Sequence, residues 1–507
     1  MTVPAPAQAR RADGQPRSVH FSFASFSAMG MTLALALLLA GMLWLPLLRI
    51  NSHAEVNYNE GWNAYKQAMV ERGVKLYGER PNLLVGATSY PPVSFHLISW
   101  LGNENNFVVV GRWISLGSLL IAGLFVGLIV QEYGAGGIAS AFCSLVYIVG
   151  IGVLFPSRLG MNDPQLLGEA LSIAGVYFYV RNPESHQALL ASAVAFCLAG
   201  FTKQNLIAFP AAVAVDLLFR SRKALTTWII CMLTAGGLLT ALTLALDGRY
   251  FFEHLLFPRV YSLHNGWHNN THLYLMTFQG LLVMAGVWMF CGRRFRVLLI
   301  SLFVVTHTVA FLLSGGDGVD VNIYFNALAA TVIVCGAALA DTERMRETVP
   351  ASNAYSGLST ALMAALFATI LIHAPGALHE SHQGARLVQA RDAEFQSAAA
   401  MLKSRPGPAF CESLLLCYEA GKSYQFDPLV VSDQIKLGRL DENAILQMLR
   451  KHEIQTVQFT VSPEQASGSA EAMVQERLHY TRGFMKEVIS NYQIAARNSQ
   501  MLVFEPR

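Results

Sequence analysis

The sequence predicts a polytopic α-helical membrane protein of about eleven transmembrane helices, followed by a small α/β domain at the C-terminal end. Three observations predict it. Of the 507 residues, 53% are hydrophobic and 14% charged, with a mean hydropathy of +0.39, whereas a soluble chain carries roughly 25% charged residues. The apolar residues gather in runs near the length of about 20 residues that crosses about 30 Å of hydrocarbon. From Pro375 onward charge rises and no run is long enough to span. A net charge of +3 gives no basis for a nucleic-acid partner; the basic residues flank apolar runs, which is a topology signal.

Arg10, Arg11 and Arg17 precede the apolar run 26–50, which exceeds the roughly 7–15 apolar residues of a cleaved signal. Residues 1–25 therefore read as a cytoplasmic tail and 26–50 as a retained first helix. Further spans are expected near 107–130, 138–155, 165–180, 187–200, 206–219, 226–246, 273–290, 297–313, 323–339 and 358–373. Segment 93–101 is too short to cross and reads as a helix along the interface. Arg181, the group Arg220, Arg222 and Lys223, the group Arg293, Arg294 and Arg296, and Arg344 with Arg346 fall in loops on one side, which the positive-inside rule makes cytoplasmic. The long loops 51–106, 247–272 and 314–322, and the chain beyond His373, fall on the other. Residues 26–374 thus form the membrane domain and 375–507 an external α/β domain. In the latter, 409–410, 456–461 and 501–504 read as strands, and 442–452 and 476–490 as amphipathic helices.

Polar groups that carry chemistry concentrate at the outer ends of spans. In the loop 57–92, Glu60 follows the first span by about ten residues, and Trp62 and Tyr65 offer flat amphipathic rings to a sugar. A carboxylate within hydrogen-bond reach can take a proton from an acceptor hydroxyl; a solvated loop carboxylate is the plain alternative. In FPSRLGMNDPQ, Asp163 and Pro164 fit a helix start, and Arg158 fits a phosphate or a headgroup anchor. In GFTKQNLIAFP, the short turn holds Lys203 and Gln204 at the membrane edge, where an ammonium would stabilise a phosphate leaving group or simply snorkel. In the loop 247–272, Arg259, His264 and Trp267 are candidate substrate contacts. His264, His268 and His272 repeat every four residues, but the intervening Asn-Gly and Asn-Asn argue against the helix that a metal site would need. Cys411 and Cys417, on the outer side where disulfides persist, bridge if the chain turns from strand to helix between them; two buried thiols are the alternative.

In order along the chain, NEGWNAY after the first span, YPP from Tyr90 into the interfacial helix, the turn D-P-Q at Asp163, the K-Q turn at Lys203, the Gly315–Phe325 entry and the α/β tail together resemble the GT-C superfamily. The likeness is to glycosyltransferase family 39-like enzymes, related to protein O-mannosyltransferases and lipid A aminoarabinose transferases. The resemblance implies an inverting transferase in a bacterial inner membrane, using a polyprenyl-phosphate sugar as donor and a glycan, lipid or protein hydroxyl as acceptor on the periplasmic face. It implies donor-phosphate binding by Arg158 and Lys203; beyond the lipid-linked donor no cofactor is expected, with a divalent metal as the alternative. The family's loop carries Asp-Glu where this chain has Asn59-Glu60, so Glu60 is expected to take over as base. A transporter or lipid flippase, and an O-antigen ligase or polymerase, are the competing readings; the ionisable groups at span ends and the lack of evident repeat symmetry weigh against the first.

Overall fold

A computed structural model describes residues 23–291, 296–348, 352–461, 480–499 and 501–507. The chain is a polytopic helical membrane protein: seven helices among the described residues are long and apolar enough to cross a bilayer, and each of the eleven expected spans falls on a helix. In order these are α1 (Phe23–Leu48), α2 (Asn59–Glu71), α3 (Val93–Leu101), α4 (Phe107–Glu132), α5 (Gly137–Leu154), α6 (Gln165–Arg181), α7 (His186–Thr202), α8 (Ala208–Arg220), α9 (Arg222–Leu246), α10 (Phe251–Leu255), α11 (Leu263–Asn269), α12 (Met276–Cys291), α13 (Arg296–Leu313), α14 (Phe325–Thr348) and α15 (Ser352–Ser404). Helix α14 is the axis of the bundle. Its apolar window is wholly buried, against 6% for the peripheral α9, and its alanines at 327, 329, 330, 337, 338 and 340 are all buried, small residues that let neighbouring backbones approach.

Three local expectations are corrected. Residues 57–92 are not a loop throughout, because Asn59–Glu71 forms helix α2. Its buried residues mix polar Glu60, Asn63, Lys66 and Gln67 with Trp62, Ala64 and Ala68, so no clean apolar stripe announces it. The histidine-bearing segment is helical despite its Asn-Gly: the Ser262 hydroxyl accepts the Asn265 amide at the start of α11, and Gly266 lies where a Cβ would sit 3.3 Å from the Gly315 backbone. The chain then continues through a π-helical turn, Asn270–Leu275. Finally, the compositional break at Pro375 is not a structural one. Helix α15 runs through it for 53 residues, because beyond the apolar part Phe395, Ala398, Ala399 and Leu402 are buried against the α/β domain.

That domain comprises β1 (Ala409–Cys411), α16 (Leu414–Glu419), α17 (Pro428–Lys436), α18 (Glu442–Arg450), β2 (Thr456–Thr460), α19 (Arg482–Asn491), β3 (Tyr492–Arg497) and β4 (Met501–Pro506). The sheet has the order β1-β2-β4-β3. Strand β1 is parallel to β2, and the other pairs are antiparallel. Strand β3 was not expected. The part of the expected helix 476–490 that precedes residue 480 lies outside the described residues. Cys411 and Cys417 form a disulfide with Cα atoms 6.0 Å apart, closing the strand-to-helix turn between β1 and α16. That turn is the seat of α2: a Cβ on Gly61 would fall 2.0 Å from the Leu415 amide nitrogen, so only glycine allows this approach.

Candidate active site

Two turns and a helix meet at the end of the bundle that carries the α/β domain. The first contact between them is a closed ion pair. Glu60 is fully buried, and Arg112, from within span α4, grips it twice: Nε donates to Oε1 at 2.8 Å and Nη2 to Oε2 at 2.7 Å. The Asn162 amide donates to Oε1 at 2.9 Å and the Val56 amide to Oε2 at 2.8 Å. Four bonds occupy the four acceptor directions of a carboxylate. Burial opposes the charge, but Arg112 and the two amides outweigh it and hold the carboxyl below its ordinary range. Every acceptor direction of Glu60, the expected base, is thus taken up within the protein. Arg112 spends its remaining donors on the carbonyls of Arg49, Ser52 and Ala54, at 2.8, 2.6 and 2.9 Å. Arg49 donates in turn to the Leu159 carbonyl at 2.6 Å. Together the two arginines fasten the segment after α1 to the turn between α5 and α6. Asn63 and Gln67 complete the seam on Asn162, with Nδ2 and Nε2 donating at 2.8 and 3.1 Å.

One residue earlier, Asn59 faces open space. It lines two adjoining cavities, of about 60 and about 340 Å³, which also share Ser89, Tyr90 and Arg259. Its Nδ2 donates to Asp163 Oδ2 at 3.2 Å. Asp163 Oδ1 accepts the Gln165 amide at 2.8 Å, ahead of α6, and the Lys203 ammonium at 3.3 Å. Lys203, at the C-terminal end of α7, lines the larger cavity with Gln204, Asp320 and His254, its ammonium 4.8 Å from the Tyr90 ring centre. Gln204 Nε2 donates to the Ser89 carbonyl at 2.7 Å, and Arg259 Nη2 to the Ser89 hydroxyl at 2.7 Å. The smaller cavity is walled by Trp62 and Tyr90, whose rings meet edge-on at 5.0 Å, and by Asp427, Asp433 and Gln434 of the α/β domain.

Asn59, Trp62, Tyr90, Asp163, Lys203, Gln204 and Arg259 thus converge, as residues from four separate stretches of sequence. Asp163 touches two of the lining residues, Asn59 and Lys203, without lining either cavity itself, and four other expected site residues lie off these walls. Arg158 pairs with Asp320 and reaches the larger cavity only through it. Tyr65 points to the other side of α2, stacked on Tyr424 at 4.9 Å. His264 is exposed, and Trp267 packs its ring against Phe311 at 6.3 Å; both stand on α11, away from the two cavities. Among the described residues no group of three His, Cys, Asp or Glu is placed to hold a metal. Sequence reasoning missed Arg112, although a lone arginine inside an apolar run is a signal in itself. It also missed Asp433 and Gln434, both buried, which nothing in an ordinary amphipathic helix marks out. Burial raises the Asp433 carboxyl to about 6, and the carboxylate of Asp317 pushes the same way.

No family model and no curated protein matches the sequence. Solved structures do. ArnT from Cupriavidus metallidurans bound to undecaprenyl phosphate is 15% identical, with 94% of this chain and 97% of that one covered and a TM-score of 0.56. The archaeal oligosaccharyltransferase AglB from Archaeoglobus fulgidus, in complex with an inhibitory peptide and a dolichol-phosphate, is 12% identical over 96% of this chain and 75% of its own, with a TM-score of 0.55. The fold of this chain is that of the GT-C membrane glycosyltransferases.

Proposed function

We propose that the chain is an inverting membrane glycosyltransferase that moves a sugar from a polyprenyl-phosphate donor to a hydroxyl of a glycan, lipid or protein acceptor on the outer face of a bacterial inner membrane. The observation that carries this reading is the buried Asp163 carboxylate, held between the Asn59 amide, which lines both cavities, and the Lys203 ammonium, which lines the larger one. In the resembled enzymes the first outer loop supplies an acid at the position of Asn59. Here the acid comes from the second outer turn, 3.2 Å from that same side chain.

The larger cavity suits the donor phosphate, with Lys203 and Arg259 as the two cations on its wall. The smaller one, between Trp62, Tyr90 and the polar residues of α17, suits the sugar. Asp163 accepts the proton of the acceptor hydroxyl as its oxygen attacks the anomeric carbon. The bond from that carbon to the phosphate oxygen breaks, and its electron pair leaves on the polyprenyl phosphate, whose charge Lys203 and Arg259 stabilise. Glu60 is a positioning residue that sets the register of α2, so that Asn59 and Trp62 face the cavities.

The test is a gene deletion complemented with the wild-type chain, Asp163→Asn or Lys203→Met, with surface glycans and glycolipids read by mass spectrometry. One sugar should disappear in the deletion, return with the wild-type chain and stay absent with either variant. A deletion strain whose glycans and glycolipids are all unchanged would sink the transferase. Full restoration by Asp163→Asn would sink its assignment as base.

A further inference from the structure

On the far side of α2 lies a third cavity, of about 760 Å³, within the range of about 300–1,000 Å³ typical of small-ligand sites. It is bounded by α2, the turn between α3 and α4, and the α16–α17 segment of the α/β domain. Three tyrosines line it, Tyr65, Tyr418 and Tyr424, with charged side chains among them. Most of those charges are matched. Arg72 pairs with Glu104, His53 lies 3.5 Å from Glu419, and the Lys422 ammonium is taken by the Arg405 and Gly407 carbonyls.

Lys66 is the exception. It is 5% exposed, and among the described residues its ammonium meets only the Met69 thioether at 3.9 Å and the faces of Trp62 and Tyr424, 5.8 and 5.1 Å from their ring centres. The carboxylate that acts on it at longer range, Asp427, is already engaged by the Tyr58 and Tyr424 hydroxyls and by the Val430 amide. Burial pulls the amine down to about 8, with Asp427 opposing the shift, so the side chain is still mostly cationic at neutral pH. A buried cation whose nearest carboxylate acts only at longer range is costly, and an anion entering this cavity to contact it would lower the cost.

We propose that this cavity binds an anionic saccharide, its carboxylate or phosphate on Lys66 and its sugar rings against the tyrosines. The wall between it and the smaller cavity is two side chains thick: Trp62 and Asp427 line the smaller cavity, while Lys66 and Tyr424, packed against them, line this one. If the chain is the transferase proposed above, on which this part of the inference rests, the cavity is the acceptor's subsite, and the acceptor is an acidic glycan.

The test uses the full-length chain in nanodiscs with no donor present. Binding of three probes, a glucuronate-containing disaccharide, a disaccharide phosphate and neutral lactose, is titrated by saturation-transfer NMR. At least one anionic probe should bind ten-fold or more tighter than lactose. Lys66→Met should weaken that probe ten-fold or more and leave lactose unchanged, with Lys66→Arg recovering most of the loss; which anionic probe wins separates carboxylate from phosphate. Equal binding of all three probes by the wild-type chain, no binding of any, or an unaltered Lys66→Met titration would each overturn the site. Because no transfer is read, a chain that binds the anion but moves no sugar in the deletion assay refutes the transferase and not the cavity.

Discussion

Two buried acid–base pairs stand within a few residues of each other at the same end of the bundle, and they are opposites. Glu60–Arg112 is closed: every acceptor direction of the carboxylate is filled, and the guanidinium is shared with three backbone carbonyls. Asp163–Lys203 is open: a single contact of 3.3 Å joins them, Asn59 touches the acid, and the base looks into a cavity. The same two chemical classes give a rivet in one case and, under the proposed function, a reactive pair in the other. What separates them is how many hydrogen-bonding positions the fold has already used. A saturated pair can only hold the structure; an unsaturated one can bind something else.

The sharpest way to break this comparison is Arg112→Met. It leaves Glu60 buried and unpaired, a change that costs about 3–5 kcal/mol. The variant should fail to accumulate in membranes or unfold at much lower temperature, and adding Glu60→Gln should recover a large part of the loss. A single variant with wild-type thermal stability would mean the pair is no rivet. Next, Asp163→Asn should lower transfer by about three orders of magnitude, within the range for loss of a general base, while its melting temperature stays close to wild type. A large melting shift with residual activity would place Asp163 with Glu60 among the structural groups.

A smaller effect is expected at the seat of α2. Cys411→Ser with Cys417→Ser removes a short cross-link and should cost about 2 kcal/mol, read as an earlier unfolding transition, with transfer by the folded fraction retained. The smallest effect concerns Asp433, whose folded value of about 6 lies above the unfolded value of about 4. Between those values the folded state holds the extra proton, so stability falls as pH rises from about 4 to about 6 and is level above. Asp433→Asn should therefore gain on the wild-type chain as pH rises through that window, by of order 1–3 kcal/mol, and the two curves should run parallel outside it. Parallel curves throughout would mean that the carboxyl is not perturbed.

The helices of the bundle were legible because bilayer thickness dictates the length of an apolar run. Helix α2 was not, since Glu60, Asn63, Lys66 and Gln67 are buried beside Trp62, Ala64 and Ala68, and that mixture leaves no clean hydrophobic period. The converging residues Asn59, Trp62, Asp163, Lys203 and Arg259 could be picked one by one from span ends, yet their roles could not be ranked. That Glu60 is consumed depends on Arg112, 52 residues away, and pairing at that distance leaves no trace in local pattern. Likewise Asp433 and Gln434 matter only because α17 is laid against the membrane domain.

That placement follows from α15. At about 1.5 Å per residue, its 53 residues extend for about 80 Å, far more than the hydrocarbon thickness of about 30 Å. The α/β domain is mounted on a rod anchored among the spans and clamped near its far end, where the Ser52 hydroxyl donates to Asp392 at 2.8 Å. A domain on a flexible tether would visit the cavities as a tethered ligand does, with an occupancy set by tether length. Carried on a continuous helix, it has no detached state to return from short of melting the rod, so the walls that α16 and α17 contribute are present before any substrate arrives.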